Sequence, residues 1–366
     1  MHSEKKVTFL IGSLAGGGAE GVCVNVANGL AEQGWQVDLL VLNLNNAAYK
    51  CRVSNKVNLV VLDVNHARFA FFPLRNYIKA FQPTRFLVFN YELSVLVVLL
   101  RQIFKYKYKI IAGNINTMSA KREQSKKSNF WRKNIIVPLI DSFYFKADHV
   151  VNQCKAMEQD LLKVYPKLKG KTSVIYNPVA KYIEDYANNN DVSQVEKEDF
   201  FLCVGRLEKQ KAFHYAIEAF SKIVSQHPSM RIKIVGQGSL ENKLKQLAIN
   251  FNVADKVDFE SFQKDMIPYY LKARATVLTS LYEGFPNVLV ESITLGTPVI
   301  AFDCPSGPNE IVENGVNGYL INYLNEQELA IKMGAILNDK LTISPSFIDK
   351  YSMKVVVDKW TRVLVQ

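Results

Sequence analysis

Apolar residues along this chain fall into two alternating rhythms. Short strand-like runs occur at Val7–Ile11, Trp35–Leu42, Asn58–Leu62, Arg85–Asn90, Lys109–Ala112, His149–Asn152 and Ser173–Tyr176. An apolar run bounded by turn residues is how a strand buried on both faces reads. Between the first two runs the apolar positions are Ala19, Val22, Cys23, Val26, Ala27 and Leu30, a helical stripe stopped by Gly34. After Asn177-Pro178 the stretch Glu184–Asp199 is polar and aperiodic, which predicts a linker or loop. The alternation then restarts. Strands are expected at Phe200–Val204, Ile232–Val235, Pro298–Phe302 and Gly318–Ile321, and helices at Ala212–Val224, Leu240–Ala248 and Met266–Lys272. Two α/β domains with doubly wound parallel sheets follow, residues 1–180 and 181–348.

A length of 366 residues suits two domains, each with its own core, and 48% hydrophobic with 22% charged residues is an ordinary globular composition. The five cysteines (Cys23, Cys51, Cys154, Cys203, Cys304) are scattered and never in C-x-x-C spacing, so reduced thiols of a cytosolic protein are expected, with no zinc site. The longest candidate span, Leu93–Leu100, is ended by Arg101, far short of the ~20 apolar residues a membrane helix needs. The apolar run before the first glycines is too short for a signal peptide. A net charge of +11 calls for a polyanionic neighbour, and no zinc-finger or RNP motif points to nucleic acid. One tract, Lys121-Arg122-Glu123 with Lys126-Lys127-Ser128-Asn129-Phe130-Trp131-Arg132-Lys133, interleaves cations and aromatics. It suits an anionic membrane interface as well as it suits a solvated face.

Candidate chemistry concentrates between Ser280 and Gly296. After the apolar run Ala275–Leu278, the chain turns through Glu283-Gly284-Phe285-Pro286 into a helix starting near Asn287. Gly284 permits an unusual backbone angle, and Pro286 fits the first helical position. That helix start would aim free N–H groups and a positive dipole end at an anion, with Glu291 one turn inside. Arg206 and Lys211 lie five residues apart on a strand-to-helix loop, where a guanidinium fork and an ammonium suit phosphate oxygens. Gly236-Gln237-Gly238 forms a further glycine loop. Several anion-binding devices at corresponding strand ends point to a diphosphate, and two carboxylates beside them point to hydroxyls: together, a nucleotide sugar. Near the start, Gly12–Gly18 is glycine-rich but is neither G-x-G-x-x-G nor a P-loop.

These residues resemble a known family. GRLEKQK, VGQGSL, YEGFPNVLVES and DCPSGPNEIVENGVNGYLI are similar to the C-terminal signature of the retaining glycosyltransferases of family 4, and GSLAGGGAE to the same family's opening. The resemblance implies a GT-B fold, two facing Rossmann-like domains with a cleft between them and a C-terminal helix, about 349–366, crossing back to the first. It implies a retaining, metal-independent transfer of a hexose or N-acetylhexosamine from a UDP-sugar to a glycan acceptor. That acceptor could be polyprenyl-diphosphate-linked, with the enzyme cytoplasmic and peripheral on the inner membrane face. Arg206 and Lys211 would hold the diphosphate. Glu283, the catalytic candidate, would lie by the transferred sugar, and Glu291 would bond the ribose. The backbone of Gly284, Phe285, Pro286, Asn287 and Val288 would line sugar and phosphate, with Gly236 beside them, while Gly17 and Gly18 let the first loop close on the donor. Lys121, Arg122, Lys126, Lys127, Trp131, Arg132 and Lys133 would face acceptor or membrane. No cofactor or metal is expected.

Two departures stand out. Many members carry an N-domain histidine after a strand like Lys109–Gly113, whereas this chain has Asn114-Ile115-Asn116, offering only a neutral hydrogen bond. Ala212 stands where glycine commonly follows the lysine, which is tolerable at a helix start. Two other classes are open: a dinucleotide-dependent oxidoreductase, which would need the missing G-x-G-x-x-G, and a non-catalytic nucleotide-sugar or glycan-binding module.

Overall fold

A computed structural model describes residues 5–115, 117–119, 122, 130, 132–339, 341, 343 and 345–366. The chain divides into two compact units, one of residues 1–180 with 352–366 and one of residues 181–351.

The first unit is built on seven strands: β1 Lys6–Ile11, β2 Gln36–Val41, β3 Val57–Val61, β4 Arg85–Val88, β5 Lys109–Asn114, β6 His149–Asn152 and β7 Thr172–Val174. They pair in the order β3-β2-β1-β4-β5-β6-β7, all parallel. Because strand order reverses between β1 and β4, their carboxyl ends diverge and leave a crevice, the usual ligand position of such sheets. Helices Gly18–Glu32 and Met353–Val365 belong to the core on one face, and Phe71–Phe81 and Tyr91–Phe104 to the core on the other. Gly29 is where the first pair touch: a Cβ there would come within 2.5 Å of Val357 Cγ2. Gln33 and Asp358 tie the same helices at 2.6 Å.

The second unit has β8 Phe200–Val204, β9 Arg231–Val235, β10 Val257–Glu260, β11 Ala275–Leu278, β12 Val299–Phe302 and β13 Gly318–Ile321. Their order, β10-β9-β8-β11-β12-β13, is again all parallel, and the reversal falls between β8 and β11.

Four local expectations change. The polar linker opens instead with a helix, Lys181–Asn189, anchored by the fully buried Ile183; one buried residue among half-buried and exposed ones leaves little periodicity to read. Strand β10 was not expected, because its alternating Val257-Asp258-Phe259-Glu260 is short and charged. The C-terminal helix is two, Pro345–Lys350 and Met353–Val365. Ser352 caps the second by accepting from Val355 N, and buried Tyr351 donates to Glu310 O at 3.1 Å. Finally, the helix expected from Ala212 starts at His214, because Ala212 is itself left-handed, with φ 46.

Candidate functional site

The loops following β8 and β11, the two strands at the reversal, are stitched together. Leu281 N donates to Gln210 O at 2.8 Å, Gln210 Nε2 to Tyr282 O at 3.0 Å, and the Thr279 hydroxyl to Lys211 O at 3.0 Å. The loop after β9 presses against the first. Gly236 (φ 151) follows β9 so closely that a Cβ would lie 1.9 Å from Gly205 O, and one on Gly238 would lie 2.4 Å from Leu207 O. These glycines therefore have a packing reason of their own, independent of any ligand.

The stitching places Lys211 Nζ 2.6 Å from Glu283 Oε1, with only 15% and 8% of the two side chains exposed. Buried Ser280 donates its hydroxyl to the same oxygen at 2.6 Å. Glu283 is also fixed through its backbone: its N–H donates to Pro305 O at 3.3 Å, and the Ser306 hydroxyl donates to its carbonyl. In the loop after β12, Ser306 (φ 63) and Gly307 (φ 95) are left-handed, and a Cβ on Gly307 would meet Pro286 Cδ at 2.6 Å. The loop after β12 is thus clamped onto the turn 283–286.

The helix runs Asn287–Thr294, with Pro286 at the cap position and not at the first helical residue as expected. The consequence is unchanged, since Pro286 has neither an N–H to satisfy nor a side chain that could cap. Its neighbour Phe285 is buried, its ring 5.8 Å from that of Tyr351. Glu291 sits on the second turn, partly exposed, and its Oε2 accepts from the fully buried Tyr270 hydroxyl at 2.9 Å. Cys304 is buried alongside, and burial first, then the Glu283 charge, pushes its thiol well above the ordinary range.

Glu283, Gly284, Phe285, Pro286, Asn287, Val288, Glu291 and Lys211 accordingly share one corner of the second unit. Arg206 lies on the same loop as Lys211 but is solvent-exposed, and no ion pair holds it among the described residues. Gly17 and Gly18 belong to the first unit, Gly17 as the extended cap (φ −79, ψ 166) of the helix Gly18–Glu32 that follows β1. Ser280, Ser306 and Tyr270, which hold the two glutamates, were not singled out in the sequence. Ser280 and Ser306 stand in quoted or adjacent stretches, but nothing local marks a serine as a partner of a distant carboxylate.

Asn114 and two arginines of the basic tract already have partners within the first unit. Asn114 cannot stand in for the family's histidine: it is fully buried, its Oδ1 accepts from Tyr91 OH and its Nδ2 donates to Asn152 Oδ1 at 2.8 Å. Asn116 lies outside the described residues. In the basic tract, Arg122 pairs with Asp141 at 2.5 Å and Arg132 with Glu92 at 3.3 Å, so both guanidiniums already serve carboxylates of the chain. Lys133 is described and exposed, while Lys121, Lys126, Lys127 and Trp131 lie outside the described residues. Among the described residues no cluster of His, Cys, Asp and Glu could hold a metal, all five cysteines are free, and no helix is long and apolar enough to cross a membrane.

The paired parallel sheets are those of GT-B glycosyltransferases. The solved structure of Anabaena HepE in complex with UDP-glucose superposes with a TM-score of 0.74 over 98% of this chain and 99% of that one, at 18% identity. Residues 16–180 match the model described as Glycosyltransferase Family 4, and residues 186–354 the model described as Glycosyl transferases group 1. The chain is a glycosyltransferase of this group 1/family 4 type. An uncharacterized glycosyltransferase of Haemophilus influenzae is 26% identical, over 98% of this chain and all of that protein. The Campylobacter jejuni N-acetylgalactosamine-N,N'-diacetylbacillosaminyl-diphospho-undecaprenol 4-alpha-N-acetylgalactosaminyltransferase is 28% identical, over 66% of this chain and 64% of that protein.

Proposed function

We propose that this enzyme transfers a hexose or N-acetylhexosamine from a UDP-sugar to a glycan acceptor with retention of configuration. The observation that carries this is the Lys211–Glu283 pair at the reversal between β8 and β11, beside the start of helix Asn287–Thr294. Lys211, Arg206 and the positive end of the helix neutralise the leaving diphosphate, so the step needs no metal. Glu283, fixed by Lys211 and Ser280, accepts from hydroxyls of the transferred sugar. Glu291, oriented by Tyr270, accepts from the ribose. The bond between the anomeric carbon and the phosphate oxygen breaks, and the acceptor oxygen bonds that carbon on the face the diphosphate leaves. The departing phosphate oxygen takes the acceptor's proton. A lipid-linked acceptor, as in the name of the Campylobacter relative, fits an enzyme working at the inner face of the cytoplasmic membrane.

Incubation with a panel of nucleotide sugars, read out as nucleoside diphosphate released, tests the donor. Turnover confined to UDP-sugars supports the reading. No release and no binding of any donor would remove it.

A further inference from the structure

The charge of this protein is divided unevenly. The first unit carries 28 Lys and Arg against 12 Asp and Glu, whereas the second carries 17 against 22. Two stretches of the first unit, 64–91 and 93–122, contain no acidic residue at all. Exposed apolar side chains gather in the same stretches. Phe69 is 56% exposed, Phe72 69% and Ile103 58%. Scattered apolar residues on a surface are ordinary, but these stand on elements that pack together. The turn Ala67–Phe69 and the helix Phe71–Phe81 both pack against helix Tyr91–Phe104. Phe71 lies edge-on to Phe72 at 5.3 Å and 6.2 Å from Phe104, which in turn lies 5.7 Å from Tyr106. Cations line the aromatic chain: Arg68 sits over the Phe69 ring at 4.8 Å and Arg75 over Phe104 at 4.5 Å, while Lys105 and Lys107 are exposed beside them.

We propose that this face, with Phe69, Phe72 and Ile103 at its centre and Arg68, Lys105 and Lys107 at its edge, docks on an anionic phospholipid bilayer. Phe and Ile have no polar tip, so they suit the boundary of headgroup and acyl chain better than the edge of a water-soluble polyanion. The surrounding cations meet lipid phosphates, and the absence of carboxylates from both stretches removes the repulsion that would oppose contact. A second copy of the same face would bring like charges together, which disfavours self-association through it. The assignment does not rest on the donor reading, since binding to a membrane needs no turnover. It also differs from the tract 121–133, two of whose arginines already hold Asp141 and Glu92.

Co-sedimentation of the full chain with vesicles tests it. Binding is expected to vesicles of phosphatidylglycerol and phosphatidylethanolamine, not to phosphatidylcholine alone, and is expected to fall steeply between about 0.1 M and about 0.5 M salt. Phe69→Ser with Phe72→Ser should weaken binding by roughly tenfold per aromatic. Lys105→Glu with Lys107→Glu should weaken it by at least about fivefold per site. Lys243→Glu, at an exposed lysine of the second unit, should leave it within about twofold. UDP affinity and the thermal midpoint, measured on each variant, show whether the fold is intact. The proposal is overturned if the wild type ignores anionic vesicles, binds neutral ones equally, or keeps full binding in both the Phe69/Phe72 and the Lys105/Lys107 variants. It is equally overturned if sedimentation velocity shows a dimer that the Phe69/Phe72 variant dissolves.

Discussion

At the carboxyl ends of β4, β5 and β6 the first unit carries a row of asparagines, Asn90, Asn114 and Asn152, whereas the second unit carries Lys211 and Glu283 after β8 and β11. The sheets share a topology, yet the amides are spent on the fold. Asn90 caps helix Tyr91–Phe104, accepting from Glu92 N at 2.8 Å, and Asn114 and Asn152 bond each other. The charged pair of the second unit is held by neighbours and sits beside a helix start. A doubly wound sheet therefore offers a crevice without dictating its use, and the side chains at the strand ends decide whether it binds a charge or packs shut. The first unit's cations lie on its surface instead, 28 against 12 acids.

The largest effect should come from the charged corner. Glu283→Gln keeps the shape but removes the charge facing Lys211, and kcat/KM should fall about 10²–10³-fold with the UDP-sugar that the donor panel identifies. Unchanged turnover would reduce Glu283 to a structural partner and erase the contrast between the units. Asn114→Ala should behave in the opposite way. It removes the acceptor of the Tyr91 hydroxyl and the donor to Asn152 Oδ1 in the core, at a cost of about 2 kcal/mol in urea unfolding, while kcat of the folded fraction stays within about twofold. A large fall in kcat there would mean that the first unit's amide row faces the reaction after all.

Ala212→Gly is expected to stabilise the second unit by about 1 kcal/mol, because alanine at φ 46 meets the left-handed penalty that glycine escapes. A thermal midpoint that stays put or drops would show the strain to be relieved some other way. The smallest effect concerns His149 in the first unit, whose ring contacts Ser173 Oγ at 2.9 Å. Burial, then the Lys109 charge, holds its pKa below the ordinary value of 6.5. The unfolded chain consequently takes up the proton first as pH falls, so the stability His149 contributes is present above about pH 6.5 and is lost below it. His149→Gln should flatten the stability profile below about pH 6.5, and an unaltered slope would assign the acid sensitivity to other groups.

Much of this could be read from the chain alone. Buried strands of a parallel sheet are short apolar runs whatever surrounds them, so twelve of the thirteen strands among the described residues lie where the runs stand, and β10 escaped because its residues alternate with charge. Lys211, Glu283, Glu291 and the helix start at Asn287 were legible because loop position follows from the alternation of strand and helix. Other features depend on residues far apart in sequence. Glu283 is held by Lys211 across 72 positions, and the Ser306 hydroxyl reaches its carbonyl across 23. Gly236 is required by the carbonyl of Gly205, and the left-handed Ala212 presents its carbonyl to the Thr279 hydroxyl across 67 positions. Asn114 is withdrawn from chemistry by Tyr91 and Asn152, and the aromatic face forms only when two separate helices meet. Local pattern fixed the elements and the loops that carry charge, since burial and backbone propensity act over a few residues. Only the folded chain decided which charges pair, which amides are consumed and which aromatics remain in water, because those outcomes depend on neighbours that sequence spacing does not bring together.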